Sequence, residues 1–493
     1  MYRSTVPRRS FLRTMGFGAA AVATPAFVSS CSGGESGSSS GDVALTIAIV
    51  SGHAGGAEFF REQFDNFEKA NPGISVEMIE NPPAQNINAV ELMFQQGNPP
   101  DIFYVNGANN LDRLHGRGYT AALDDYIDDD FRSRFPEGSL DPLISGLHRE
   151  GGLHSLPLVS GKWRSGSLLA YNQAILEENG LDRPPETFEE LEQMSYDITR
   201  NGGGDYYGCA FRQSDAREVG FLQAAAGPSS IGEPSGLGLD LTTGQAGVSD
   251  ASLVDLVELY RQLQTDKIVM PGWESWDGER VFTEFAREKI AFYAAAEWHV
   301  NEIANLNPEL NFGLAPLPVP AAGRQGYLGL RAAFSPIWAM SAESARPDEA
   351  WLLMDFLVSE EFQRAYFETF RSFTAVESVW RDSADLSEVE QQMITIHDET
   401  VRRAPDPITD GSPAVKMLMT ELIAQPDLRW HATSVEAITR GEDFAPKATA
   451  LDEEIDSFLD TQIEQLASAG GEITGDDLSY PEWDPMQDWA PAT

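Results

Sequence analysis

The sequence predicts an α/β fold in two lobes, on three observations. Strand-like and helix-like periodicities alternate from residue 43 onward, which implies a sheet covered by helices. The 493-residue chain is too long for one simple core, because single cores stop growing at about 250–300 residues. The apolar runs end in small or polar residues at Ser51, Gly52, His53 and Asn106. In open sheets of this kind ligands sit beyond the carboxyl ends of the strands, so these four residues are expected near a cleft.

The first thirty residues read as an address. Arg8 and Arg9 open RRSFLRT, a twin-arginine pattern for Tat export, and an apolar stretch runs from Met15 to Val28. That stretch is shorter than the ~20 apolar residues a membrane helix needs and has the layout of a secretory signal. It ends in Val28-Ser29-Ser30-Cys31, which resembles a lipobox and makes Cys31 the expected lipidation site. SGGESGSSSG follows as a flexible tether that holds a folded domain off the membrane. The two chains of a diacylglyceryl group suffice for stable anchoring.

The folded part opens with VALTIAIV, an apolar run stopped by Ser51-Gly52, which reads as a buried strand. Phe60, Phe64 and Phe67 then fall on one helical face, and Asn71-Pro72-Gly73 ends that helix. ISVEMIE alternates as a strand, a helix is expected around Ile87 to Gln96, and PPDIFYVNG reads as another buried strand.

Composition excludes several functions. Seventy-seven acids against 34 bases give a net charge of −43, which argues against nucleic acid and anionic lipid as partners. The acids are spread along the whole chain, so they read as a solvated surface rather than a cation site. The seven histidines form no HExxH or paired zinc spacing, and neither GxSxG nor GxxxxGK[ST] occurs. The glycines of Asn201–Asp205 read as a turn, and DDYIDDD lacks the glycine of an EF-hand loop. No cofactor and no metal are expected. Cys209 reads as a small buried residue with no disulfide partner.

Six segments, in order, resemble one family. They are the opening that ends in NPGISV, PPDIFYVNG, the run GGLHSLPLVSGKWRSGSLLAYNQAILEENGL with the PPETFEELEQMSYDI that follows it, VFTEFAREKIAFYAAAEWHV, FGLAPLPVPAAG, and SAESARPDEAWLLMDFLVSEEFQRAYF. Together the chain resembles the extracellular solute-binding proteins that include the maltose-binding proteins. The match covers most of residues 43–372 and loosens beyond Phe373. The resemblance implies a periplasmic-binding-protein-like fold: two lobes, each a mixed sheet flanked by helices, with the ligand cleft between them. It places residues 43–158 and 333–371 in an N-terminal lobe, and 159–332 and 372–493 in a C-terminal lobe, after a signal at 1–30 and a tether at 31–42. Crossings are expected near Pro157–Gly161, Gly329–Ala333 and Arg371–Thr374, and closure about them would trap the ligand.

The implied function is the solute-binding subunit of an ABC importer: a monomer on the outer face of the membrane, serving permease subunits whose ATPase is another chain. The implied ligand is a sugar or oligosaccharide. Aromatic faces cover the apolar side of a sugar ring, and planar polar groups take its hydroxyls. Trp298 is expected at a strand end, where the family presents a stacking aromatic. Trp273 and Trp276, in PGWESWDG, read as an exposed loop, and Trp163 and Arg164 lie just past the first crossing. Asn106, His53, Arg331 and Arg371 are the polar candidates, whereas Trp338 and Trp351 read as core. A peptide, polyamine or glycerol phosphate ligand is the alternative within the class, with arginines in the cleft opposing a cation. A secreted glycoside hydrolase, with its carboxylate pair, is the alternative outside it.

Overall fold

Eight short strands make two sheets. The first sheet uses β1 (Val43–Ile49), β2 (Ile74–Glu80) and β3 (Ile102–Tyr104). The second uses β4 (Leu168–Asn172), β5 (Tyr207–Cys209), β6 (Ile290–Ala295) and β7 (Phe312–Pro316). The chain then returns to the first sheet as β8 (Trp338–Met340). The computed structural model describes residues 43–490 apart from 51–54, 165, 213, 229, 232–236, 277 and 331. The signal, Cys31, His53 and Arg331 therefore lie outside the described residues.

In the first sheet the order is β8-β3-β1-β2. β1 runs parallel to β2 and β3, and β8 is antiparallel to β3. In the second the order is β7-β4-β6-β5, with β4 antiparallel to both neighbours and β5 parallel to β6. Both sheets are mixed, as the resemblance implies. All six residues of β6 are buried, which is why IAFYAA reads as a continuous apolar run rather than an alternating one.

The helices follow from their apolar spacing and their ends. Helix α1 (Gly56–Ala70) buries Phe59, Phe60, Phe64 and Phe67. Its first two rings meet Phe362 of the helix Glu360–Phe370 edge-on or tilted. Asn71 ends α1 by donating its side-chain amide to the Phe67 carbonyl, and Gly73, with φ 98°, turns the chain into β2. The helix Phe188–Gly202 is capped by Thr187, whose hydroxyl accepts from the Glu190 amide, and stops at a left-handed Gly203. It lies so close to β5 that a Cβ on Gly208 would stand 2.3 Å from the Ser195 Cα.

Three extended segments run side by side between the sheets. Leu156 bridges to Trp338, Ser160 to Phe334, and Val159 to Thr374. The amide of Gly161 donates to the Ala333 carbonyl and that of Ala375 to the Leu158 carbonyl. The chain beyond Phe373, where the resemblance loosens, adds the helices Pro413–Ile423, Trp430–Arg440 and Ala445–Ser468. Among the described residues no helix is long and apolar enough to cross a membrane.

Candidate functional site

A cavity of about 450 Å³ opens between the two sheets. From the first sheet's side come Val50, just past β1, Tyr104 at the end of β3, Phe60 on α1, Ile337, and Tyr366 on the helix Glu360–Phe370. From the second come Glu279, Phe282 and Thr283 around the helix Arg280–Ala286, and Trp298, Glu302 and Leu306 on the helix Glu297–Leu306. Leu158, Val159 and Ser372, on or beside the crossing segments, complete the lining. The cavity thus lies beyond the carboxyl ends of β1 and β3, where an α/β sheet leaves room for a ligand.

Five of its lining residues carry aromatic rings: Phe60, Tyr104, Phe282, Trp298 and Tyr366. The β6 strand ends at Ala295, and Trp298 falls in the first turn of the following helix rather than at the strand end. Its half-buried ring stands edge-on to Phe282, centroids 5.5 Å apart, and to His299 at 4.1 Å. The polar lining is sparse: Glu279, Glu302, Thr283, Ser372 and the tyrosine hydroxyls. Burial raises the Glu302 pKa, and the neighbouring Glu279 adds to the shift. Apolar walls with a few placed polar groups are the usual make-up of a small-molecule site.

A second, smaller cavity of about 260 Å³ shares Trp298, Glu302 and Ser372 with the first and reaches Arg371. Arg371 is already engaged. It ends its helix in the left-handed conformation, and its Nε and Nη2 donate to the two oxygens of Glu390, both at 2.8 Å. Glu390 is the chief cause of the raised Arg371 pKa. Asn106 follows β3 with φ 57° and is exposed.

Three expected site tryptophans are core residues instead. Trp273 has no exposed surface: it lies 4.0 Å from the Phe211 ring and donates its Nε1–H to Gln264. Trp276 is 8% exposed in the same turn. Trp163 is fully buried against Trp380 and Phe373, with its Nε1–H on Glu377. A ring with every face covered has none to offer a ligand. Arg164 ends the turn Lys162–Arg164, and its side chain lies outside the described residues. Trp338 is core as expected, and the partly buried Trp351 stacks on Tyr126. Cys209 is buried, and burial pushes its thiol pKa up to about 12. Phe60, Tyr104, Phe282 and Tyr366 are lining residues that the sequence did not mark as site candidates. An aromatic on an apolar helix face or in a buried strand carries the same signal as core.

Residues 53–364 match the family described as bacterial extracellular solute-binding proteins. This chain belongs to that family. Among relatives of this solute-binding protein, one from Brucella abortus (strain 2308), named as a binding protein without a stated ligand, is 26% identical over 342 residues, 69% of this chain and 77% of the relative. The melibiose/raffinose/stachyose-binding protein MelE of Bacillus subtilis is 24% identical over 292 residues, 58% of this chain and 64% of its own. The fold matches the GacH receptor of Streptomyces glaucescens with a TM-score of 0.63 at 17% identity, covering 85% of this chain and 99% of that one. It matches the maltotriose-bound maltose/maltodextrin-binding domain of MalE from Bdellovibrio bacteriovorus at 0.60 and 18%, covering 86% and 100%. The two-sheet architecture is therefore that of two-lobed binding proteins.

Proposed function

We propose that this protein captures a sugar or small oligosaccharide in the cavity between its sheets and delivers it to the permease subunits of an ABC importer. The observation that carries the reading is the aromatic-walled cavity between two sheets of a solute-binding fold. Rings cover the apolar face of a sugar, and carboxylates and hydroxyls hold its hydroxyl groups. The names of MelE and of the maltotriose-bound MalE domain point the same way for those proteins. Residues 43–158 with 333–371, and 159–332 with 372–493, would be the lobes that close on the ligand, with Trp298 stacked on a ring. Export by Tat, anchoring through Cys31 and a monomeric state complete the proposal. The protein binds and releases without chemistry, with no cofactor, and the ATPase is a separate chain.

A thermal-shift panel of α-galactosides, malto-, xylo- and manno-oligosaccharides, with peptides and polyamines as comparators, tests this. A saccharide should raise the melting temperature and be recovered intact by chromatography. A rise with peptides or polyamines alone sinks the sugar reading, and recovery of cleaved sugar moves the case to a glycoside hydrolase.

A further inference from the structure

Two neighbouring helices each bring an aromatic ring and a carboxylate to the larger cavity. On the helix Glu297–Leu306, Trp298 and Glu302 are four residues apart and so share a face. Glu279 immediately precedes the helix Arg280–Ala286, and Phe282 follows three residues later. The Phe282 and Trp298 rings stand edge-on with centroids 5.5 Å apart, which joins the two pairs on one wall.

The rest of the lining gives these carboxylates little to bind. Among the described residues that line the cavity there is no lysine, arginine, histidine, asparagine or glutamine. Its polar groups are the two carboxylates, the hydroxyls of Tyr104, Thr283, Tyr366 and Ser372, and the Trp298 indole. An ionised carboxylate only accepts, so the wall is rich in acceptors. Glu302 is half-buried, and no hydrogen bond or ion pair engages its carboxylate among the described residues. Burial and the like charge of Glu279 both raise its pKa. In the smaller cavity the one basic side chain is Arg371, whose Nε and Nη2 are held by Glu390. Its charge is spent there, so Arg371 does not oppose a cation in the cleft.

A half-buried carboxylate that meets only a like charge is costly in the free protein, and a ligand cation relieves that cost. A sugar hydroxyl brings one donor and two lone pairs, whereas an ammonium brings three donors, a full charge and no acceptor. The ammonium is the better complement to this wall. Charge-assisted hydrogen bonds are about twice as strong as neutral ones, and ring faces within about 6 Å add to the attraction. The net charge of −43 also draws cations toward the molecule.

We propose that Glu302 and Glu279 are specificity-determining residues that select an amino sugar, with its ammonium held between the two carboxylates beside Trp298 and Phe282. This selection rests on the sugar-binding function above for the rest of the ligand.

The test is isothermal titration at about pH 6.5, between the pKa of a carboxyl and that of an amine. The probes are glucose and glucosamine, galactose and galactosamine, and the β-1,4-linked dimers of glucose and glucosamine. The N-acetylated forms serve as neutral controls of similar bulk, and spermidine as a cation without a sugar ring. The proteins are wild type, Glu302→Gln and the double variant Glu279→Gln/Glu302→Gln. On wild type an amine should bind at least about tenfold tighter than its hydroxyl and N-acetyl counterparts, the usual weight of a charge-assisted contact. Glu302→Gln should reduce that ratio, and the double variant should bring it close to one. Equal binding of amine and neutral sugars by wild type overturns the selection and leaves the sugar reading standing, as does a ratio that survives the double variant. A Glu302→Gln protein that loses affinity for amine and neutral sugars by the same factor shows that Glu302 holds a hydroxyl, and also overturns it. If no saccharide binds but spermidine does, and the double variant loses it, the sugar reading fails and the cation site holds. If none of these compounds binds, both fail.

Discussion

Trp298 and Trp163 show how far one residue type can diverge in role. Trp298 is half-buried on a cavity wall, whereas Trp163 is wholly enclosed and has Lys162 and Arg381 over its ring at 4.9 and 5.2 Å. Trp298→Ala is expected to weaken sugar binding by more than tenfold, about 2 kcal/mol or more, with little change in the unliganded melting temperature. Trp163→Ala is expected to cost about 3–5 kcal/mol of stability, measured by urea denaturation. The opposite pattern at either position would exchange their roles. Arg371 and Glu390 add a pH-dependent term. Burial alone would raise the Glu390 pKa, but the Arg371 fork and the Ser387 hydrogen bonds outweigh it and hold the carboxyl below its usual range. A carboxylate with a lowered folded pKa stabilises above its unfolded value, and the contribution is lost as pH falls through the folded one. Glu390→Gln should therefore be less stable than wild type at neutral pH, and the gap should close below about pH 4. A gap that persists in acid would mean that the pair's packing matters and its charge does not.

At the scale of the element, regular periodicity is readable in the sequence and exceptional contacts are not. The phenylalanine spacing marks α1, Asn71-Pro72-Gly73 marks its end, and the uninterrupted apolar run marks β6. The helix Glu297–Leu306 gives no such signal, because its N-cap is Ala296 in place of the Ser, Thr, Asp or Asn that opens most helices. The strand therefore reads as running on to Trp298. Gly208 shows the other kind of gap. The sequence places it in an ordinary strand, yet the helix Phe188–Gly202 passes so near that Ser195 backbone atoms would stand 2.3 and 2.4 Å from a Cβ at this position. Gly208→Ala must push the helix off β5, and overpacking of this kind costs about 1–3 kcal/mol. Denaturant titration reads this directly, and a neutral result would show that the helix can slide.

For the whole molecule, the proposed anchor and the proposed closure are separate claims. Cys31→Ala should release the protein from the membrane fraction into the medium without altering sugar affinity. A wild type that is already fully soluble and carries no lipid label rules out the anchor. Closure should appear as a smaller radius of gyration by small-angle scattering when ligand is added. The three bridged segments, at residues 156–160, 334–338 and 374, are where the backbone must bend.

The order of strands and helices and the family pattern were legible in the linear sequence, because local periodicity and turn residues report the backbone directly. So was the absence of the enzyme motifs sought. Which rings face the cavity was not. PGWESWDG has the proline, glycine and acids of an exposed loop, yet Trp273 turns inward onto Phe211. Phe60 lies on an apolar helix face and still borders the cavity. The side on which a side chain lies is set by packing between segments far apart in sequence. Only the assembled sheets decide which apolar surfaces meet each other and which remain open to a ligand.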